Sequence, residues 1–214
     1  IGLNSQLYKT MYIPNLYKNE NQAEIEQFLH ENGFAILVNQ TNGKLWATHI
    51  PLILGTNSNG KQILIGHISK LNPQAESFNQ NDEVLAIFSG SHSYISSSWY
   101  DHENVPTWNY LAVHVYGKVR LHTYEESIES LKKLVNKYEA KSEKPIRIED
   151  LSEKTMREAR GIVSFEIEIS SIEAQKKLSQ NRDDKNYQNI ISELEKTNEN
   201  QAIEIAKAMK KNRP

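Results

Sequence analysis

A strict two-residue repeat near the middle of the chain constrains the fold more than any other feature. From Leu111 to Leu121 the odd positions hold Leu, Val and Gly, and from His114 to His122 the even positions hold His, Tyr, Lys and Arg. Because successive side chains of a β-strand point to opposite faces, the pattern predicts a strand with one face in a hydrophobic core. The fold must therefore contain a sheet that is covered on one side.

A second run, residues 162–169, repeats this alternation and predicts the strand that closes the sheet. Its apolar residues, predicted to face the core, are Val163, Phe165, Ile167 and Ile169. Its polar residues, predicted to face outward, are Ser164, Glu166 and Glu168.

Four further strands are predicted from short runs rich in β-forming residues. Residues 34–38 and 45–54 flank the sequence TNGK, in which Asn42–Gly43 readily takes the positive φ of a tight hairpin turn. Residues 63–68 and 83–88 are the other two strands.

Helices are predicted mostly at the ends of the chain and not between the strands. They cover residues 21–32, the segment that opens at a Thr123–Glu126 capping box, residues 152–161 and a terminal helical hairpin. This order indicates a mainly β fold with helices (α+β), in which the strands form an antiparallel β-barrel, and it argues against a Rossmann-type sheet.

The length of 214 residues, 38% of them hydrophobic, suffices for one sizeable core with a small helical appendage. We assign residues 11–172 to the barrel domain and residues 173–214 to a C-terminal helical extension packed on it. Residues 1–10 lack periodicity and precede the natural beginning MYIPNLY, so we interpret them as an upstream extension.

Composition excludes several classes of protein. The absence of cysteine removes disulfides, thiolate metal sites and a cysteine nucleophile, and it fits a reducing cytoplasm. None of the seven histidines falls in a metal-binding motif, so we expect no metal. No apolar run is long enough to span a membrane, and no signal-peptide profile opens the chain. GxGxxG and P-loop sequences are missing as well.

The net charge of −2 gives no broad attraction to nucleic acid. A basic group near the C-terminus, made of Lys207, Lys210, Lys211 and Arg213, is open to two interpretations. It is either a tip that contacts nucleic acid or a complement to the negative end of the last helix.

Residues 89–109 are dense in Ser, His, Asn and Trp, which predicts a long functional loop. Within it, Ser96, Ser97 and Ser98 precede Trp99, a combination suited to holding a phosphate or ribityl chain while the aromatic ring covers a flat group. The alternative is an ordinary polar turn anchored by one buried Trp.

Seven longer motifs, taken in order, resemble one protein family. They are MYIPNLY (11–17), ATHIPL (47–52), GHISKLNPQ (66–74), YISSSWY (94–100), VPTWNY (105–110), HVYGK (114–118) and KLSQNR (177–182). Together they resemble the PaiB family, bacterial proteins described as FMN-binding negative transcriptional regulators of sporulation and degradative-enzyme genes. The resemblance runs from Met11 to the C-terminal helices, and Ser69 stands where the family usually has alanine.

The resemblance implies an FMN-binding split barrel that forms a cytoplasmic homodimer with FMN in the subunit cleft. By analogy, Thr48 and His49 lie near the polar edge of the flavin ring, and Ser69, Lys70 and Asn72 hold the phosphate. The remaining candidate cofactor-binding residues are Ser96, Ser97, Ser98, Trp99, Trp108 and Arg182. The two Trp side chains are candidates to wall the cleft. Arg182 either reaches the partner's site or forms a salt bridge at a helix start.

Three functions stay open at this stage. A regulator that senses FMN fits the family, although no helix-turn-helix is recognisable, so DNA binding has no motif behind it and an indirect effect fits the charge better. A flavin-dependent oxidoreductase acting on a small molecule is the alternative, with His49 or His92 orienting the substrate. The third is a degenerate barrel that keeps only dimerisation and protein contacts.

Overall fold

The computed structural model describes residues 11–80 and 83–213. The upstream extension expected at residues 1–10 lies outside the described residues. The strands are β1 (Phe34–Thr41), β2 (Lys44–Pro51), β3 (Ile53–Thr56), β4 (Gln62–Ser69), β5 (Glu83–Ile95), β6 (Thr107–Leu121) and β7 (Ile162–Lys177). The α-helices are α1 (Gln22–Glu31), α2 (Tyr124–Glu139), α3 (Glu153–Met156), α4 (Asp184–Lys196) and α5 (Asn200–Asn212).

The strands form one sheet in the order β2-β1-β5-β6-β7-β4-β3. Neighbours pair antiparallel, as in β1 with β2 and β4 with β7. Only Leu52 separates β2 from β3, which stand at opposite ends of this order, so the chain itself joins the two edges of the sheet. The predicted antiparallel barrel with helices is confirmed.

The hairpin of β1 and β2 turns as its sequence predicts. Thr41 pairs with Lys44, and the two residues between them have positive φ, 52° at Asn42 and 73° at Gly43. The capping box at the start of α2 is also present, because Thr123 and Glu126 exchange hydrogen bonds between side chain and backbone.

The long loop predicted for residues 89–109 is wrong. Strand β5 continues to Ile95 and β6 already begins at Thr107, leaving a connection that contains the 3-10 helix Ser97–Trp99. The misreading has a physical cause: several residues in these strand ends are exposed, among them His92, Tyr94 and Trp108, so the apolar alternation is lost while the strand continues.

Ser164 and Glu166, predicted to face outward, are nevertheless buried. Both residues are only 4% exposed. Side chains at the end of β6 and directly after it cover them, because Arg120 Nε lies 2.9 Å from Glu166 Oε1 and His122 Nδ1 lies 2.9 Å from Ser164 Oγ. Glu168 is exposed, as its position in the repeat predicts.

The chain folds into two compact units, and β5, β6 and β7 contribute residues to both. The barrel unit consists of Glu26–Phe88 and Val115–Ile172, and its fully buried side chains include Leu37, Phe88 and Phe165. Within the described residues, the helical unit consists of residues 11–25, 89–114 and 173–213. Its hydrophobic core includes Ile95, Tyr187, Ile190, Leu194, Ile205 and Met209.

Candidate functional site

Two predicted motifs meet in the barrel unit. The amide Nδ2 of Asn72 donates a hydrogen bond of 2.9 Å to Oγ1 of Thr48 on β2. The amide oxygen of the same side chain accepts a 3.0 Å hydrogen bond from the backbone N–H of Gln74. The side chain of Asn72 therefore links the turn that follows β4 to Thr48 on β2.

Backbone hydrogen bonds hold this turn and do not involve the side chain of Lys70. The backbone N–H of Asn72 donates to the carbonyl oxygen of Ser69 at 3.0 Å, and that of Lys70 donates to the carbonyl of Gly161 at 2.9 Å. The hydroxyl of Ser69 accepts from the N–H of Leu71 at 3.2 Å and keeps its own proton to donate. Lys70 is exposed, and among the described residues its ammonium has no hydrogen-bond or ion-pair partner.

Strand β2 presents a largely exposed surface beside this turn. The exposed fraction of Leu45 is 78% and that of Trp46 is 37%. The exposed ring of His49 stacks on Phe34, with centroids 6.1 Å apart and planes at 29°. Flat rings and apolar side chains thus lie on the same hairpin as Thr48.

These residues have the chemistry that FMN requires. A phosphate dianion needs a cation and several donors, and the turn supplies a free ammonium, the Ser69 hydroxyl and the second N–H of the Asn72 amide. Thr48 accepts from Asn72 and retains its own hydroxyl proton. Lys70 favours this fit, because its ammonium is exposed and has no ion-pair partner among the described residues, so a phosphate would not have to displace a carboxylate.

The serine group of the helical unit is organised differently. Ser96 caps the 3-10 helix by accepting from the backbone N–H of Ser98 at 3.2 Å, and the two hydroxyls lie 2.8 Å apart. Trp99 is half-buried and packs against the core of α4 and α5. This geometry matches the alternative of a polar turn anchored by one Trp, and no cation pairs with these hydroxyls among the described contacts.

The other two candidates also lie in the helical unit. Trp108 is 52% exposed, and its ring contacts those of His92 and Tyr94 at centroid distances of 6.0 and 5.9 Å. The guanidinium of Arg182 lies over the ring of Tyr100 at 4.9 Å. The candidates thus divide into Thr48, His49, Ser69, Lys70 and Asn72 in the barrel unit and Ser96, Ser97, Ser98, Trp99, Trp108 and Arg182 in the helical unit.

Sequence reasoning missed a charged cavity of about 560 Å³ in the barrel unit. Arg120 joins Glu126 and Glu166 at its wall, with both guanidinium ends bonded to Glu126 at 3.0 and 3.1 Å. The Arg120 bond lowers the pKa of Glu126 to about 2, while burial lowers the pKa of His122. The sequence signal for this cavity lies in the polar, even positions of the two-residue repeat, because Arg120 and His122 occupy two of them.

Two absences apply to the part of the chain that the structure describes. No helix within it is both long enough and apolar enough to cross a bilayer. No group of three or more His, Cys, Asp or Glu in residues 11–80 and 83–213 is arranged to hold a metal ion.

Comparison with known proteins adds the family to this geometry. Residues 11–171 match the family described as "Putative FMN-binding domain". The "Protease synthase and sporulation protein PAI 2" of Bacillus subtilis (strain 168) is 43% identical over 201 residues, which cover 93% of this chain and 96% of that protein. The chain belongs to the PaiB family of FMN-binding proteins. This confirms the resemblance of the seven motifs, and the family match assigns FMN as the cofactor.

PaiB-like sequences are not confined to bacteria. An uncharacterized protein of Emericella nidulans is 27% identical over 229 residues, covering 86% of this chain and 90% of its own length. Among solved structures, the FAD and heme binding protein of Mycobacterium smegmatis has a TM-score of 0.59 at 12% identity, covering 75% of this chain and 73% of that one. The flavocytochrome Anf3 of Azotobacter vinelandii has a TM-score of 0.58 at 15% identity, covering 80% and 75%. These likenesses establish the split-barrel fold alone.

Proposed function

We propose that the barrel unit binds FMN with the phosphate at the turn after β4 and the flavin ring along β2. The observation that carries the proposal is the hydrogen bond between Asn72 and Thr48, which brings the two motifs of the family together in space. The free ammonium of Lys70 supplies the charge, and Ser69 and Asn72 supply neutral donors.

The exposed hairpin supports the place of the ring. His49 and Phe34 already stack on each other, and an aromatic ring system gains most when it packs against such flat groups. Thr48 retains a hydroxyl proton for a polar edge of the ring. When bound, FMN supplies one- and two-electron redox chemistry, whereas the protein binds it, orients it and limits its contact with water.

The same hairpin supports a homodimer. Phe34 is 66% exposed and Leu45 is 78% exposed, although both stand on a regular strand pair. Exposed apolar side chains of this size on a sheet indicate an interaction surface, and closed twofold dimers are the commonest oligomers. A second copy that covers β2 would complete a cleft for the flavin, in a protein that acts in the cytoplasm.

For the cellular role, we propose a regulator that affects gene expression through FMN, as the sporulation-related name of the Bacillus relative suggests. The C-terminal basic group supports an indirect effect, because three of its four charges are paired within the chain. Lys207 lies 2.7 Å from Glu204, Lys210 lies 2.6 Å from Glu195, and Arg213 lies 3.0 Å from Asp184. Only Lys211 of this group lacks a salt bridge among the described residues, so little charge is left for phosphates of DNA.

Titration of the flavin-free protein with FMN tests this function. We expect quenching of flavin fluorescence that saturates at one FMN per chain, and a dimer mass by light scattering. A protein that stays colourless and does not change the fluorescence would overturn the proposal and favour the degenerate barrel. Promoter DNA added at physiological salt should not be retarded if the regulation is indirect.

A flavin-dependent oxidoreductase is the second candidate, favoured by one observation. The exposed His49 follows Thr48 on β2 with its side chain on the opposite face of the strand, stacked on Phe34, where it can contact a small molecule at the flavin ring. Steady-state reduction of the bound flavin by NADH or NADPH, slowed by His49→Ala, would support the enzyme. A flavin that neither cofactor reduces would leave the regulator as the better account.

A further inference from the structure

A buried glutamine stands directly behind the proposed phosphate turn. Gln74 is fully buried, in the 3-10 helix Pro73–Gln80 that follows the turn. Its amide nitrogen donates to the carbonyl oxygen of Leu37 at 3.1 Å and to the side-chain oxygen of Asn39 at 2.9 Å, both on β1. The side chain thus fastens the turn to the strand that pairs with β2.

The network continues through the 3-10 helix and returns to Gln74. Asn39 Nδ2 donates to Ser77 Oγ at 2.6 Å, and Ser77 Oγ donates to the carbonyl oxygen of Gln74 at 2.8 Å. The hydroxyl of Thr41 lies 3.1 Å from the same Ser77 oxygen. Because the amide nitrogen of Gln74 meets two acceptors, the direction of this amide is fixed.

Gln74 is a costly way to stabilise the barrel. Its amide oxygen Oε1 is buried and has no hydrogen-bond partner among the described residues. An unsatisfied buried acceptor destabilises a fold, and an apolar side chain of similar size would avoid that cost. Gln74 therefore contributes the two hydrogen bonds that its amide nitrogen donates, and not a gain in stability from burial.

These donations act on the site through the backbone of Gln74. Its N–H orients the Asn72 side chain, and Asn72 Nδ2 then reaches Thr48 Oγ1. We infer that Gln74 is a positioning residue, whose buried amide holds the turn after β4 so that the side chain of Asn72 meets the FMN phosphate. That the ligand is FMN phosphate rests on the proposed function, whereas the hydrogen bonds that link Gln74, Asn72 and Thr48 do not depend on it.

Gln74→Met tests the inference, because methionine keeps the length of the side chain and loses both donations. The matched control is Gln175→Met in the helical unit. Gln175 is 5% exposed, its Oε1 is also buried without a partner, and its described side-chain partner is Tyr110. Unfolding in urea should show a similar change in stability for both variants.

The affinity for FMN should separate the two variants. We expect Gln74→Met to raise the Kd about tenfold, which corresponds to about 1.4 kcal/mol, and Gln175→Met to change it by less than about twofold. In an Asn72→Ala background, Gln74→Met should have almost no further effect, because the side chain through which it acts is gone. Equal losses for both glutamines, or additive losses in the double variant, would overturn the positioning role.

A second readout does not depend on flavin. In the flavin-free protein, the side-chain amide resonances of Asn72 report its hydrogen bond to Thr48, and we expect them to move towards solvent-exposed values in Gln74→Met and to stay in place in Gln175→Met. If the wild type does not bind FMN, the proposed function fails while this measurement still decides on Gln74. Unchanged Asn72 resonances in Gln74→Met would overturn the inference even in a protein that binds FMN.

Discussion

Two groups of polar residues look alike in the sequence and differ in the structure. The turn group consists of Thr48, Ser69, Lys70 and Asn72, and the serine group consists of Ser96, Ser97 and Ser98. Both contain hydroxyls in a motif of the family. In the turn group an exposed ammonium is unpaired among the described residues, whereas in the serine group two hydroxyls bond each other and one caps a 3-10 helix.

The difference teaches that the number of polar side chains does not define an anion site. Hydroxyls that satisfy their neighbours have little left to offer a ligand, and a ligand must then replace bonds that already exist. A free cation next to oriented donors has no such cost. The comparison therefore predicts that substitutions in the turn group change affinity, and that those in the serine group change stability.

The largest effect is expected from Lys70→Met. Removal of the ammonium should weaken FMN binding roughly 10- to 100-fold, because a charge-assisted hydrogen bond contributes about 1.5–3 kcal/mol. Lys61→Met, at another exposed lysine of the barrel unit, serves as the control and should leave the Kd within about twofold. Isothermal titration calorimetry of both variants measures this, and equal affinities would remove the turn group from the site.

A smaller effect is expected from Thr48→Val, which keeps the shape of the side chain and removes the acceptor for Asn72. The loss of the neutral hydrogen bond to Asn72 at about 1 kcal/mol predicts an increase in Kd of about fivefold, and the loss of the hydroxyl that we propose for the ring edge adds to it. Ser98→Ala in the serine group should change the Kd by less than about twofold. Fluorescence titrations measure both values. A larger increase in Kd for Ser98→Ala than for Thr48→Val would contradict the difference between the two groups.

Ser96→Ala should affect stability and not affinity. It removes the side chain that caps the 3-10 helix, and loss of a cap of this kind costs about 0.5–1 kcal/mol. Chemical denaturation measures the free energy of unfolding, and the FMN titration of the same sample serves as the internal control. A loss of affinity without a loss of stability would place the serine group in the site.

The most gradual effect is expected from a fall in pH. It should lower the stability of the barrel unit without changing the residues of the turn group or the serine group. Burial lowers the pKa of His122 in the folded state, although Glu126 and Glu166 oppose the shift and Arg120 adds to it. The unfolded chain therefore binds the proton more readily, so this contribution to stability is complete above the unfolded pKa of about 6.5 and is lost as the pH falls below it.

Urea unfolding above and below that pH measures the slope, and His122→Asn should reduce it. His67 and His114 also have pKa values lowered by burial and will keep part of the slope. A variant that unfolds with the same dependence on pH as the wild type would show that His122 does not contribute. The FMN affinities of variants in the turn group and in the serine group should be compared at a pH above this loss of stability.

The sequence predicts the fold wherever a repeat or a cap has one physical meaning. The hairpin turn at Asn42–Gly43 and the capping box at Thr123 needed no tertiary information. The ends of β5 and β6 could not be predicted, because exposed residues such as Tyr94 and Trp108 remove the alternation. The burial of Glu166 was missed because a polar residue on a strand faces water unless a side chain of a neighbouring strand covers it, and no pattern shows that Arg120 does so.

The turn group was predicted from the resemblance and not from composition. Residue spacing alone gives no reason for Thr48 to meet Asn72, which lies 24 positions along the chain. Gln74 was missed altogether, although it closes the quoted motif GHISKLNPQ, since a single glutamine carries no chemical signal until its burial and its partners are known.

The central claim is that FMN is held by the turn after β4 and not by the serine group. A crystal structure of the protein with bound FMN tests it most directly. We predict that the phosphate accepts hydrogen bonds from Lys70 Nζ, Ser69 Oγ and Asn72 Nδ2. A phosphate bound by Ser96 and Ser98, with Lys70 left in solvent, would contradict the account.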